Sequence, residues 1–201
     1  MRCRCVKFFI VLLCFATGRA ADSNTFLLQV GFGVAIPLSP TYLKDYWTHS
    51  ISFTGGFGLP VRESTLVLFS YTNFPFDYKG DIVPQDYHAH VHEILVGAHR
   101  YLSIDQKNWR PYFSLAAGIS LLRTPNLYRE SRQYQERVQN DNVLEPEHID
   151  DNPILRVGVG LDYQLSQENT TLFVEFYSAT AFFRFSQFNA LGGRCGVLFA
   201  I

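Results

Sequence analysis

The sequence predicts an all-β protein: an eight-stranded antiparallel up-and-down transmembrane β-barrel. Three observations predict it, namely an export signal at the start, eight segments with alternating residue types, and connections that alternate between short and long. The 201-residue chain is 15% aromatic and only 17% charged, which excludes disordered, collagen-like and coiled-coil chains. Its length suits one domain with a sizeable core.

Residues 1–21 have the features of an export signal. Basic residues at the start are followed by an apolar run and then by small residues that suit cleavage. The apolar run is shorter than the roughly 20 residues that a membrane-spanning helix needs. We therefore expect residues 1–21 to be a signal peptide and residues 22–201 to form the barrel domain.

Removal of the signal changes the charge and the cysteine content of the chain. It takes away four of the 17 basic residues and none of the 18 acidic ones, which leaves 13 against 18 and a net charge of −5. Cys195 then remains as the single cysteine, so a disulfide-stapled secreted module is excluded. The acidic balance also argues against a nucleic-acid partner, which would require clustered positive charge.

Eight segments alternate between bulky apolar residues and small or polar residues, the period of a strand with two different faces. The bulky face suits lipid contact, and the small face suits the crowded lumen of a narrow barrel. The third and fourth segments are partly apolar on both faces, so their registers stay open. The segments are Phe26–Pro37, His49–Pro60, Thr65–Thr72, His88–Leu102, Pro111–Leu122, Leu155–Gln164, Thr171–Tyr177 and a last one that ends at Ile201.

Connections of unequal length separate these segments. Those after the second, fourth and sixth segments are short and turn-like, whereas those after the first, third and fifth are long. The longest runs from Arg123 to Asn152, and the last, Ser178 to Gln187, is intermediate. This alternation is typical of periplasmic turns and extracellular loops, with both termini on the periplasmic side.

Four stretches carry a resemblance to a known superfamily: GAHRYL at 97–102, WRPYFSLAAGISLL at 109–122, LRVGVGLDYQLS at 155–166 and the terminal RCGVLFAI. With them the chain resembles the small outer-membrane β-barrels of Gram-negative bacteria, the OmpA/OmpX-type eight-stranded barrels. The resemblance implies localisation in the bacterial outer membrane, contact with outer-membrane lipid and recognition of the final strand by the barrel-insertion machinery. The chain departs from the family pattern at its end, where Ile201 replaces the usual aromatic residue.

Several charged residues share the face of small residues. Charges inside a narrow barrel have to be paired, because an isolated charge in a low-dielectric interior is costly. We interpret the set as a lumen charge network that plugs the barrel, in preference to a proton or ion path. Its members are Arg156, Asp162, Glu175, Arg194 and, if Ile94 faces lipid, Glu93 and His99.

Three histidines, His88, His90 and His92, recur at every second position of the fourth segment, so a strand places them on one face. Imidazoles at this spacing are a candidate zinc or copper site. No cysteine or carboxylate with ligand spacing accompanies them, which favours the simpler interpretation of a polar strand end at the extracellular rim. We expect no cofactor.

The connections between strands are rich in aromatic residues. Aromatics near strand ends commonly form the interfacial girdle of a barrel. The alternative is an apolar surface that recognises an extracellular ligand. The candidate recognition residues are Tyr46, Trp47, Phe74, Phe76, Phe183 and Phe185.

No segment joins a nucleophile to an oriented base, and no catalytic residue is assigned. The nearest approach is His49 beside Ser50 and Ser52. We therefore expect a non-enzymatic outer-membrane protein with a role in loop display, envelope structure or adhesion. Two alternatives stay open: a soluble exported calycin-like barrel that binds an apolar ligand inside, and a lipid A-modifying outer-membrane enzyme.

Overall fold

The computed structural model describes residues 26–39, 48–77, 88–102, 108–123, 149–165, 169–182 and 187–201. Each strand pairs antiparallel with the next, and the first pairs with the last, which closes the barrel. The predicted eight-stranded up-and-down barrel is confirmed. The strands are β1 (Leu27–Ser39), β2 (Ser50–Arg62), β3 (Thr65–Asp77), β4 (His88–Tyr101), β5 (Trp109–Arg123), β6 (Ile149–Gln164), β7 (Thr170–Phe182) and β8 (Gln187–Ala200).

Three strands are longer than the alternation of residue types indicated. β3 continues to Asp77 instead of ending at Thr72, β6 begins at Ile149, and β7 continues to Phe182. The pairing between strands persists there, since Asp77 pairs with His88 and Phe182 pairs with Gln187. All these extensions lie at the end of the barrel that carries the long connections. The sense of the alternation changes at that end: in β3 the apolar Phe74 and Phe76 face inward, whereas Asn73, Pro75 and Asp77 face outward.

The bulky face lies outside the barrel and the small face lies inside, as the alternation predicts. Phe32 and Ile51 are 62% and 69% exposed, whereas Gln29 and Thr54 are fully buried. In β4, Ile94 faces outward and Glu93 inward, which settles the register of that strand. A continuous apolar exterior of this extent suits hydrocarbon and not water. The calycin-like alternative requires the opposite arrangement, so that alternative is wrong.

Glycines in the lumen make room for two tyrosine rings. Tyr112 pairs across the strands with Gly160, and Tyr177 pairs with Gly192. A Cβ atom on either glycine would overlap the phenol ring of its partner. The narrow bore therefore explains why the inner face is rich in small residues.

Within the described residues, no helix is long and apolar enough to span a membrane.

Buried side chains fill the described part of the lumen. At the end with the short turns, Leu66, Leu68, Phe173 and Leu198 form a small apolar cluster. At the end with the long connections, a larger apolar layer forms; its biggest members are Phe74, Phe76, Tyr177 and Phe188. Four buried charged residues, Glu93, Arg156, Glu175 and Arg194, form a charged layer. Two further buried titratable residues stand opposite members of the small apolar cluster: Asp162 opposite Phe173 and His99 opposite Leu66.

Candidate functional site in the lumen

One buried ion pair joins strands that are not neighbours. Arg156 on β6 donates from its Nη2 atom to Oε2 of Glu93 on β4. Both side chains are almost fully buried. Because β5 separates the two strands in the sheet, the pair reaches past β5 on the lumen side of the wall.

A second pair joins adjacent strands. Arg194 on β8 donates from Nε and Nη2 to Oε2 of Glu175 on β7, at 2.8 Å and 2.7 Å. These two residues stand directly opposite each other in the antiparallel pairing of β7 and β8. Two charge-assisted hydrogen bonds from one guanidinium hold its orientation as well as its position.

Glu175 also contacts groups on strands that are not its neighbours in the sheet. The Ser114 hydroxyl on β5 donates to Oε1 of Glu175 at 2.6 Å, and His99 Nε2 on β4 lies 3.9 Å from Oε2. Glu175 is completely buried, so these contacts replace the water that a carboxylate would otherwise bind. The carboxylate therefore links β4, β5, β7 and β8.

Aromatic rings lie against Arg156 and His99. The guanidinium carbon of Arg156 lies 4.2 Å from the centre of the Tyr177 ring, close enough for cation–π attraction. The His99 ring stacks on Tyr112 at a centroid distance of 4.1 Å. Tyr177 belongs to the larger apolar layer, so its contact with Arg156 joins the charged layer to the apolar layer at the long-connection end.

The structure brings four of the five predicted charges together and separates the fifth. Asp162 lies closer to the short-turn end, where it accepts a hydrogen bond of 2.6 Å from the Tyr101 hydroxyl. The guanidinium of Arg110 lies 4.0 Å from the centre of the Tyr101 ring. Asp162 is therefore inside the lumen, as expected, but its hydrogen-bonding partner is a phenol and not an arginine.

Some members of the site did not emerge from the sequence. Ser114 and Tyr112 share the inner face of the fifth segment, and Tyr177 shares that of the seventh, so strand parity placed them inside. The contacts that these side chains make could not be predicted from the sequence, because contact inside a lumen depends on how far each strand is shifted along the barrel axis.

The candidate metal site stays a prediction. His90 and His92 lie on the outer face of β4 with their rings stacked 5.9 Å apart. The Tyr71 hydroxyl lies 2.8 Å from Nδ1 of His92. The described residues contain no group of three side chains that could hold a metal ion, and the side chain of His88 lies outside them.

The assignment of Phe74 and Phe76 to a recognition loop was wrong. Both belong to β3 and are buried inside the barrel, with 2% and 1% of their surface exposed. The edge of the Phe76 ring meets the Phe188 ring at a centroid distance of 6.3 Å. Both side chains face inward because β3 continues to Asp77 with the same parity. The other candidates, Tyr46, Trp47, Phe183 and Phe185, lie outside the described residues.

The chain matches no protein-family model, and no curated protein matches it. Three solved structures share its fold. Neisserial surface protein A is 13% identical, with a TM-score of 0.62, covering 88% of this chain and 99% of that one. Ail, the attachment invasion locus protein of Yersinia pestis, is 9% identical, with a TM-score of 0.53 and coverages of 88% and 98%. The outer-membrane protein OprG of Pseudomonas aeruginosa is 12% identical, with a TM-score of 0.56 and coverages of 90% and 98%. The chain thus has the fold of small outer-membrane barrels.

Replacing Glu175 with alanine tests the charged layer. The substitution leaves the Arg194 guanidinium buried without its carboxylate, and we expect a loss of about 3–5 kcal/mol in the free energy of unfolding. The measurement is urea unfolding of the protein folded into lipid vesicles. As a matched control, Glu63→Ala in the exposed turn between β2 and β3 should cost less than about 0.5 kcal/mol. In the double variant with Arg194→Ala, the loss should be smaller than the sum of the single losses. Equal stability of Glu175→Ala and Glu63→Ala would contradict this assignment.

Proposed function

We propose that this chain is a non-enzymatic outer-membrane protein whose closed barrel does not conduct ions and serves to display its extracellular loops. The observation that carries the proposal is the filled lumen. Buried apolar side chains and buried, paired charges fill the described part of the lumen.

The filled lumen opposes ion passage in two ways. The pair between Arg156 and Glu93 joins β6 to β4 inside the lumen, so an ion that passed there would meet two charges that already neutralise each other. The apolar layer around Phe76 and Phe188 places aromatic rings inside the lumen, and apolar surroundings make the entry of a hydrated ion costly. Eight strands also give a bore that side chains can fill.

A closed barrel can still act through the segments that it holds in place. By sequence, the connections on one side are long, and the longest covers residues 124–148 between β5 and β6. Segments of this length at the rim of a rigid scaffold are typical places for binding function. The name of the Yersinia neighbour refers to attachment and invasion, which supports adhesion as one role for such loops here.

The surroundings of two histidines, His92 and His99, favour a non-enzymatic role over lipid A modification. An enzyme of that kind requires a hydroxyl activated by a base at the lipid-facing surface. The hydroxyl that lies within hydrogen-bonding distance of the outward-facing His92 belongs to Tyr71, and His99 is buried in the lumen beside Glu175. Neither arrangement presents an activated serine to the membrane.

Planar-bilayer recording tests whether the barrel is closed. We expect purified, refolded protein to produce no steady channels, because the charged and apolar layers together fill the bore. A porin inserted into the same bilayers provides the positive control for detection. Steady openings of porin-like conductance would show that the charges line a path instead of a plug.

Epitope insertion tests loop display. We expect an epitope inserted between residues 135 and 136 to bind antibody on intact cells. The same epitope inserted between Glu63 and Ser64, in the turn at the other end of the barrel, should bind antibody only after the outer membrane is permeabilised. The reverse pattern, or equal labelling of both positions on intact cells, would contradict the proposed orientation.

A further inference from the structure

Two histidines lie side by side on the outer wall of the barrel, near the long-connection end of β4. Val91 and Glu93 are buried in the lumen, so His90 and His92, which alternate with them, face outward. Both imidazole rings are half-buried. Their centres are 5.9 Å apart and their planes differ by 9°. The next outward residue along β4 is the apolar Ile94, so the pair lies where the apolar exterior of this strand ends.

A tyrosine on the neighbouring strand holds one of the two rings. The Tyr71 hydroxyl on β3 lies 2.8 Å from Nδ1 of His92, and the Tyr71 ring stacks on the imidazole at a centroid distance of 6.0 Å. When Nδ1 donates to the phenol oxygen, the lone pair of Nε2 is available to a ligand. Histidines that bind metal ions are commonly oriented in this way, through a hydrogen bond from the ring nitrogen that does not bind the metal.

The separation of the two rings suits one shared metal ion. Two imidazole nitrogens that bind the same ion at about 2.0 Å place their ring centres roughly 5–6.5 Å apart, and the observed 5.9 Å lies in this range. Asn73 stands directly opposite His92, and its Oδ1 atom is buried without a hydrogen-bonding partner among the described residues. An acceptor of this kind is satisfied by a water molecule bound to a nearby ion.

Charged residues of opposite sign flank the pair. Arg123 on β5 stands opposite His90, and Asp77 lies on the outer face of β3, two positions beyond Pro75, which also stands opposite His90. The side chains of Arg123 and Asp77 are exposed, so solvent and salt screen both charges. The outer wall therefore does not exclude a cation from this position.

We propose that His90 and His92 bind one divalent transition-metal ion, with Cu²⁺ held most tightly, and that Tyr71 positions His92. Two imidazoles without a thiolate suit Cu²⁺, Ni²⁺ or Zn²⁺, and Cu²⁺ binds nitrogen ligands most strongly of the three. The described residues contain no group of three side chains that could hold a metal ion, so water takes the remaining coordination positions. The inference goes beyond the proposed loop display and does not depend on whether the lumen conducts.

Isothermal titration of the untagged, full-length mature protein with Cu²⁺ in detergent tests the site. We expect one Cu²⁺ ion per barrel. His90→Ala and His92→Ala should each weaken binding about tenfold or more, since even the loss of a residue that only orients a ligand costs about tenfold. The matched control is His49→Ala, an exposed histidine at the same end of the barrel, which should bind Cu²⁺ as the wild type does. Heat-modifiable migration on gels verifies that each variant is folded.

Electron paramagnetic resonance of the Cu²⁺ complex counts the nitrogen ligands. We expect two imidazole nitrogens in the wild type and one in either alanine variant. Tyr71→Phe should weaken binding by up to about tenfold and leave the count at two, because Tyr71 orients His92 without binding the metal. The proposal is overturned if no Cu²⁺ binds, if His49→Ala weakens binding as much as His90→Ala, or if the wild-type spectrum shows fewer than two imidazole nitrogens.

Discussion

Closure of the sheet between β1 and β8 is the constraint on which the rest of the structure depends. In hydrocarbon, an unpaired backbone N–H or C=O group is costly, so a membrane-spanning sheet cannot keep a free edge. The pairing runs from Leu27 opposite Ala200 to Ser39 opposite Asn189. Close packing along this seam leaves no space for side chains at some inner positions: a Cβ atom on Gly31 would lie 2.7 Å from the carbonyl oxygen of Cys195. Because only eight strands close the barrel, its bore is narrow.

A narrow bore determines what the interior can hold. It contains apolar clusters towards both ends and two acids and two arginines that have to satisfy one another. Truncating one member of a buried pair is expensive, whereas an apolar replacement of both members is often tolerated. We therefore expect the pairs to add little net stability. Their main effect is to fix one another's position, as Arg194 and Ser114 fix the carboxylate of Glu175 through hydrogen bonds.

The sequence predicted the strands and the faces better than the contacts. Period-2 alternation assigned Arg156, Glu175 and Arg194 to the lumen, because strand parity depends only on local geometry. It did not predict that Arg156 binds Glu93, since that contact depends on the relative shift of β4 and β6 along the barrel axis. Alternation also failed at the ends of the strands. Phe74 and Phe76 were assigned to a loop, although β3 continues through them with the apolar rings inward and Asn73, Pro75 and Asp77 outward, which reverses the expected sense of the alternation.

Closure can be tested directly at the seam. Phe32 stands opposite Cys195 in the pairing of β1 and β8, and directly opposed residues are close enough for a disulfide. In protein purified from the outer membrane, oxidised Phe32→Cys should form a disulfide with Cys195, seen as a reductant-sensitive shift on a denaturing gel. Ile36→Cys, which stands opposite Leu191, should not. Failure of Phe32→Cys to cross-link, or equal cross-linking by Ile36→Cys, would contradict the closed barrel and its register.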